Sequence, residues 1–370
     1  MIDYSFSTVY ALPRHRIIPN RVYCLMFPTA QPVPQTMRAL IYDPNGPGKM
    51  AWKSNHPVPK PGNNQVLIKV ESASLNPLDF RTSDTHSLFI SSKGHVVGRD
   101  VAGTVMAVGK NVNTLSVGAQ VFGLGPGLAQ YTVTEANKLV RVPQGKEPSD
   151  MAPYGLVGTV AHQILCKHWF DRPNYVVRSL LVIGASGGIG SSITQIAREL
   201  GGPEVTVYGV TSEKHPDVLR EIGISQAIDY SVPGFDLSKV LPLHSMDLIV
   251  DTVSGASESP NYIESGILLL KPSGRYVSLN SMKSLDWLKS YISDACGCNM
   301  QRSRFDLFIA DLKKPGRNLD AISRLVSQGR YKLAISDVLP LSETPIRRAL
   351  HSLKQRHVKG KVKILPQSNI

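Results

Sequence analysis

Ser179-Leu180-Leu181-Val182-Ile183 runs directly into Gly184-Ala185-Ser186-Gly187-Gly188-Ile189-Gly190, and this stretch decides the fold. Four apolar residues after Ser179 make a buried strand, the glycines open a turn, and Ile189, Ile193, Ile196, Ala197 and Leu200 then recur at helical spacing as the inward face of a helix. Strand, glycine turn and helix in this order suit a dinucleotide. Gly187 lets bare main chain approach a pyrophosphate, Gly190 permits close helix-to-strand packing, and the helix start offers free N–H groups at a positive dipole end. Ala185 stands where the strictest form of the motif has its first glycine, with Gly184 just before it. The candidate phosphate loop is therefore Gly184, Ala185, Ser186, Gly187, Gly188, Ile189 and Gly190.

Further out, a second strand at 204–210 ends in Thr211-Ser212-Glu213-Lys214. An acid at this point accepts from the ribose hydroxyls of NAD, whereas hydroxyls and a cation suit the 2′-phosphate of NADP. Thr211, Ser212 and Lys214 favour NADPH over NADH; Glu213 would favour NADH if it faced the ribose. Apolar strands at 246–250 and 275–279 continue the alternation, which predicts a parallel sheet with helices on both faces. Upstream, residues 37–144 are β-rich, with Val66, Ile68 and Val70 alternating; downstream, 331–341 and 361–365 read as strands that rejoin this first lobe.

A chain of 370 residues with 42% hydrophobic content exceeds one ordinary core, so two domains are expected. No run reaches the roughly 18 apolar residues of a membrane span. The net charge of +13, from 41 basic against 28 acidic residues, favours anionic partners. No nucleic-acid motif accompanies it, and the late cluster 347–363 reads as a solvated face. Cys24, Cys166, Cys296 and Cys298 are too few for a disulfide framework, and Cys296-Gly-Cys298 reads as two ordinary thiols. Residues 1–36 carry Arg14, Arg16 and Arg21 against Asp3, which fits either an organelle transit segment or a plain extension, hence a mitochondrial or a cytoplasmic location.

With these residues in view, the chain resembles the zinc-free quinone oxidoreductase branch of the medium-chain dehydrogenase/reductase superfamily. The resemblance rests on Asn76-Pro77-Leu78-Asp79, Gly98-Arg99-Asp100-Val101-Ala102-Gly103-Thr104-Val105, Ser116-Val117-Gly118, the glycine turn, Asp251-Thr252-Val253-Ser254-Gly255 and His357-Val358-Lys359-Gly360-Lys361-Val362. Residues 319–341 are most similar to the reticulon-interacting mitochondrial oxidoreductases. The resemblance implies an α/β fold in which a doubly wound Rossmann sheet is inserted in a GroES-like β-rich catalytic domain. The expected divisions are 1–36 as an extension, 37–155 catalytic, 156–302 nucleotide-binding and 303–370 returning to the catalytic domain. It also implies a homodimer, a place for Tyr230 near the adenosine phosphate, and Ser278 and Asn280 on the nicotinamide side. Tyr230 reads equally well as a strand-end aromatic.

Zinc-dependent relatives need a Cys in the early loop, a His with a neighbouring Glu, and usually four clustered cysteines. Here Asn76 stands in that loop, Gly98-Arg99-Asp100 replaces the His-Glu pair, and His95 lacks partners, so no metal is expected. Without metal, hydride passes directly to a quinone or an α,β-unsaturated carbonyl compound, and the protein orients and donates hydrogen bonds. Asn76 is the first candidate for that donation, because an amide donates at any pH; Asp79 reads as a structural turn residue. Relatives often carry a tyrosine shortly after the Asn-Pro pair, which is absent here; Arg81 or His86 could replace it, although His86 reads equally as a surface-loop residue. Ala119-Gln120 replaces an Asp-Arg pair and bears on stability. The alternative is a nucleotide-binding protein with weak catalysis, acting as a redox-sensitive partner of another protein.

Overall fold

The computed structural model describes residues 32–43, 50–84, 94–212, 216–255, 260–280, 304–355 and 358–366. His86, Lys214, Glu213, Cys24, Cys296, Cys298 and nearly all of 1–36 lie outside them.

The fold is α/β. A hairpin of β1 (Thr36–Tyr42) and β2 (Met50–Pro57) precedes a sheet built from β3 (Gln65–Ser74), β4 (Asp100–Val108), β5 (Gln120–Leu124), β6 (Tyr131–Glu135) and β7 (Leu139–Arg141). Its core follows from the alternation in β3: Val66, Ile68 and Val70 are fully buried among Val101, Val105 and Val121. Six strands then form the second sheet: β8 (Ser179–Ile183), β9 (Thr206–Thr211), β10 (Gln226–Asp229), β11 (Met246–Asp251), β12 (Leu270–Ser278) and β13 (Phe305–Leu307). All are parallel, in the order β10-β9-β8-β11-β12-β13. That is the doubly wound order 3-2-1-4-5-6, with its switch point between β8 and β11. Covered on both faces, β8 and β11 are buried at every residue, which is why Leu180–Ile183 and Leu248–Val250 are continuous apolar runs.

The chain then returns. β14 (Ile335–Pro340) and β15 (Lys361–Leu365) pair back onto β3, giving the first sheet the order β14-β15-β3-β4-β5-β7 with β6 also on β3. Four helices frame the site: α1 (Pro77–Asp84), α2 (Pro148–Met151), α3 (Gly155–Leu165) and α4 (Gly188–Gly201). α3 and α4 lie in one core with Phe122 and Leu124 of β5, Leu180 and Val182 of β8, and Leu319 and Ile322 of the helix Gly316–Ser327. Continuous apolar packing thus joins the two sheets beside the glycine turn.

Two readings of pattern need correction. In α4, Ile193, Ile196 and Ala197 are buried as their spacing predicts, but Leu200 is 48% exposed. It lines an open cavity of about 350 Å³ with Phe170, Ala321 and Arg324 rather than the core. In the basic cluster, Arg347, Arg348, Lys354 and Lys359 face solvent, but Lys361 is 3% exposed. Its ammonium is taken up by Leu75, Asn76 and Asp100 instead of water. Among the described residues no helix is long and apolar enough to cross a membrane.

Candidate functional site

The turn after β8 places its glycines for distinct reasons. Gly184 has φ +83, the left-handed region, and a Cβ there would strike the Thr252 hydroxyl and Val253. Gly190 faces the Gly184 carbonyl so closely that any side chain would displace the turn. Gly187 differs: its φ of −75 is ordinary, and an added Cβ would meet only the Gly184 carbonyl at 3.3 Å. The protein itself leaves that side open.

The N–H groups of Gly184 and Ala185 donate to Val210 at 3.0 and 3.1 Å, pinning the turn to β9, and Gly187 donates back to Gly184 at 3.0 Å. The first helical hydrogen bond is Ser191 N–H to the Gly187 carbonyl, 2.9 Å. By helix geometry the N–H groups of Gly188, Ile189 and Gly190 therefore have no partner within α4, and no side chain caps the helix start. A short, positively poled cradle results, which fits a pyrophosphate.

At the end of β9, Thr211 is buried and its hydroxyl donates to Ser186 at 2.9 Å, bracing the turn against that strand. Ser212 follows, half-buried. Tyr230, 42% exposed, donates its backbone N–H to the Thr211 carbonyl at 3.3 Å, so it sits beside the same strand end. At the opposite end, Ser278 is buried and donates to the Asn280 carbonyl at 2.7 Å; the Asn280 amide faces the Thr252 carbonyl at 3.5 Å. Asp251 organises this corner by accepting the N–H groups of Val253 and Ser254, at 2.8 and 2.9 Å, and the Tyr276 hydroxyl at 2.5 Å. Burial beside Asp251 drives the Tyr276 phenol far above its ordinary range and keeps it a donor.

In the first lobe the decisive cluster is buried and charged. Asp100 accepts from Ser74 at 2.5 Å, Asn76 Nδ2 at 2.8 Å, Lys361 Nζ at 3.1 Å and Leu156 N–H at 2.6 Å. Lys361 also donates to Asn76 Oδ1 at 2.6 Å and to the Leu75 carbonyl at 3.0 Å. The Asn76 carboxamide, 2% exposed, is thus held at both ends, and one amide hydrogen remains beyond the bond to Asp100. Asp79 closes the turn reciprocally, its N–H donating to Asn76 O at 3.0 Å and its Oδ2 accepting Asn76 N–H at 2.8 Å. Fully buried, its carboxyl is pushed up to about 7, chiefly by desolvation.

This cluster reaches the glycine turn. The Gly360 N–H faces the Ser186 carbonyl at 3.4 Å, and a Cβ on Gly188 would touch Lys361 Cδ at 3.2 Å and Val157 at 3.1 Å. The structure therefore brings the loop 184–190, Thr211, Ser278, Asn280 and Asn76 to one region at the ends of β8, β9 and β12. Arg81 is on α1, but its side chain lies outside what is described; His95 is exposed. Asp100 and Lys361 are quoted in the motifs above without a role. For Asp100 the available signal is a carboxylate heading the apolar strand β4; for Lys361, one lysine of a basic run, local sequence offers none.

Residues 62–168 match the model of the alcohol dehydrogenase GroES-like domain, and 222–364 match the model of the zinc-binding dehydrogenase. The chain is 26% identical over 345 residues to the chloroplastic quinone oxidoreductase QR1 of Triphysaria versicolor, covering 89% of this chain and 98% of that one. It is 25% identical to the human mitochondrial NAD(P)H oxidoreductase RTN4IP1, covering 81% of each. Among solved structures, the quinone oxidoreductase of Coxiella burnetii superposes with a TM-score of 0.70 at 23% identity, covering 90% of this chain and 99% of that one. A mycobacterial protein solved with NADPH also gives a TM-score of 0.70, at 22% identity, over 90% of this chain and 100% of its own. Among the described residues no three His, Cys, Asp or Glu side chains gather as metal ligands.

Proposed function

Because the chain belongs to the medium-chain dehydrogenase/reductase superfamily, in its quinone oxidoreductase branch, we propose that it is an NADPH-dependent, zinc-independent reductase of quinones or α,β-unsaturated carbonyl compounds. One observation carries this reading: an open N–H cradle at the start of α4 lies directly against the Lys361 stem and the Asn76 turn.

The main chain of 184–190 holds the pyrophosphate, and Thr211, Ser212 and Lys214, with Tyr230 alongside, hold the adenosine phosphate. Ser278 and Asn280 border the nicotinamide. Bound NADPH supplies a hydride. The remaining Asn76 amide hydrogen donates to the substrate oxygen as negative charge develops there, a role that needs no titration. Arg81 or His86 takes the place of the missing tyrosine, His86 being the better proton donor near neutral pH. Two supports favour a zinc-free reaction: Asn76 stands where a ligand thiolate would, and Asp100 already accepts four donors. On this reading 37–155 and 303–370 form the catalytic domain, 156–302 the nucleotide domain, and the protein is a homodimer working in mitochondria or cytoplasm.

The test is NADPH and NADH consumption with a panel of simple quinones and enones, beside calorimetry of both nucleotides and elemental analysis for zinc. NADPH-preferring turnover without stoichiometric zinc is expected. Preference for NADH, or stoichiometric zinc, overturns the corresponding part. A second reading, a nucleotide-binding protein with weak catalysis acting as a redox-sensitive partner, is favoured by the double tethering of Asn76. Tight NADPH binding without turnover across the panel would select it.

A further inference from the structure

We propose that Lys361 is a positioning residue for hydride transfer: it sets the spacing between the nucleotide cradle and the Asn76 amide. The inference rests on the reductase reading above and deepens it.

Lys361 lies against both halves of the site. Its stem lies 3.2 Å from where a Gly188 side chain would begin, at the first residue of α4. Its ammonium donates to Asn76 Oδ1 at 2.6 Å, the Leu75 carbonyl at 3.0 Å and Asp100 at 3.1 Å. Three acceptors satisfy all three ammonium hydrogens, so the head has one orientation. Its backbone is equally fixed, the N–H donating to Ala334 at 2.9 Å while the neighbouring Gly360 bridges to Gly187.

A lysine kept at 3% exposure has no solvent to recover its hydration, so burial is tolerated only through these bonds. The charge itself is not demanded by the fold. An uncharged residue at 361 with Asn at 100 would fill the same space, the single carboxamide oxygen still accepting the Leu156 N–H while the amide nitrogen donates to the Ser74 hydroxyl. What the Lys361 ammonium adds is direction. By bonding Asn76 Oδ1 it fixes which end of the carboxamide is the acceptor, and so turns the Nδ2 hydrogens away from Leu75. Hydride transfer requires reacting atoms about 3 to 3.5 Å apart, and a misplacement of about 1 Å can cost a hundredfold in rate. A rigid strut between the cradle and the Asn76 turn supplies such spacing.

The test uses Lys361→Met, which keeps the stem and removes the ammonium, and the double variant Asp100→Asn/Lys361→Met, which leaves no buried carboxylate unpaired should the single variant fold poorly. For either, the NADPH dissociation constant should stay within about threefold of wild type, while kcat falls about 30-fold and KM for the enone changes little. The deuterium isotope effect from NADPH labelled at the transferred position should rise, and adding Asn76→Ala should slow the reaction no further than Asn76→Ala alone. Wild-type kcat, loss explained wholly by weaker NADPH binding, or additive losses with Asn76→Ala would each overturn the proposal. Failure of the reductase reading shows separately, as absent nucleotide binding or turnover in the wild type. In that event hydrogen exchange decides: Lys361→Met should hasten exchange at Leu75 and Asp79 about tenfold with β8 unchanged, and unchanged exchange there refutes the role of Lys361.

Discussion

Replacing Gly187 and Gly190 by alanine separates a glycine needed by the ligand from one needed by the fold. At 190 the new methyl would overlap the Gly184 carbonyl and approach Ala185 Cα within 2.9 Å, and backbone at the neck of a turn has nowhere to move. Overpacking of this kind costs about 1 to 3 kcal/mol. At 187 the backbone angles, φ −75 and ψ 167, suit alanine, and the nearest protein atom is 3.3 Å away. There the lower entropy of the unfolded chain, about 0.4 to 1 kcal/mol in favour of alanine, offsets the poorer helix cap. Gly187→Ala should therefore keep its unfolding midpoint in urea near wild type. The same methyl projects into the cradle where phosphate oxygens would approach the main chain, and losing that approach should weaken NADPH about tenfold to a hundredfold, or 1.4 to 2.8 kcal/mol. Urea unfolding and calorimetry on both variants read the two effects independently. A Gly187→Ala protein that is stable and binds NADPH as tightly as wild type would refute the assignment of the cradle.

Three further outcomes are expected. Asp79 keeps its proton when folded up to about pH 7 and loses it near pH 4 when unfolded, so the native state binds more protons between these values and wild-type stability falls as pH rises through that window. Asp79→Asn removes this dependence, so its stability relative to wild type should improve by about 3 kcal/mol between pH 5 and pH 8 in urea unfolding; a pH-independent difference would contradict the burial argument. Lys214→Ala should raise the NADPH Michaelis constant about tenfold and leave that for NADH unchanged, and an equal change in both would remove Lys214 from the 2′-phosphate. Burial pushes the Cys166 thiol above its ordinary range, so mass spectrometry should show it alkylated by iodoacetamide about tenfold more slowly than free cysteine at pH 7.5. Reaction as fast as free cysteine would show that the thiol is not shielded.

What was legible in the amino-acid order was what neighbours in the chain decide. Ser179–Ile183, the glycine turn and α4 follow from local spacing, and the parallel sheet follows from the recurrence of such units. Lys361 was hidden because its partners Asn76 and Asp100 lie more than 260 residues away and its near neighbours form a basic run. Charge predicted solvent, and strand alternation sets Lys361 on the face opposite Val362 and Ile364; it is buried because that face meets Leu75, Asn76 and Asp100, which take its ammonium. Leu200 failed differently, since helical spacing gives the face of a residue but not whether another element covers that face at the helix end. The Asn76 turn was identifiable as a motif, but the engagement of its amide at both ends depends on β4 and β15 together.

The bridge from Gly360 to the glycine turn bears on how the chain matures. The turn leaves the ribosome about 170 residues before the strand that completes it, an interval of roughly 10 to 35 seconds at ordinary translation speeds. Throughout that interval the nascent nucleotide lobe has its own strands but lacks the residues that buttress Ser186 and Gly188. On the proposed function, the cradle is complete for a coenzyme only once β15 has been made.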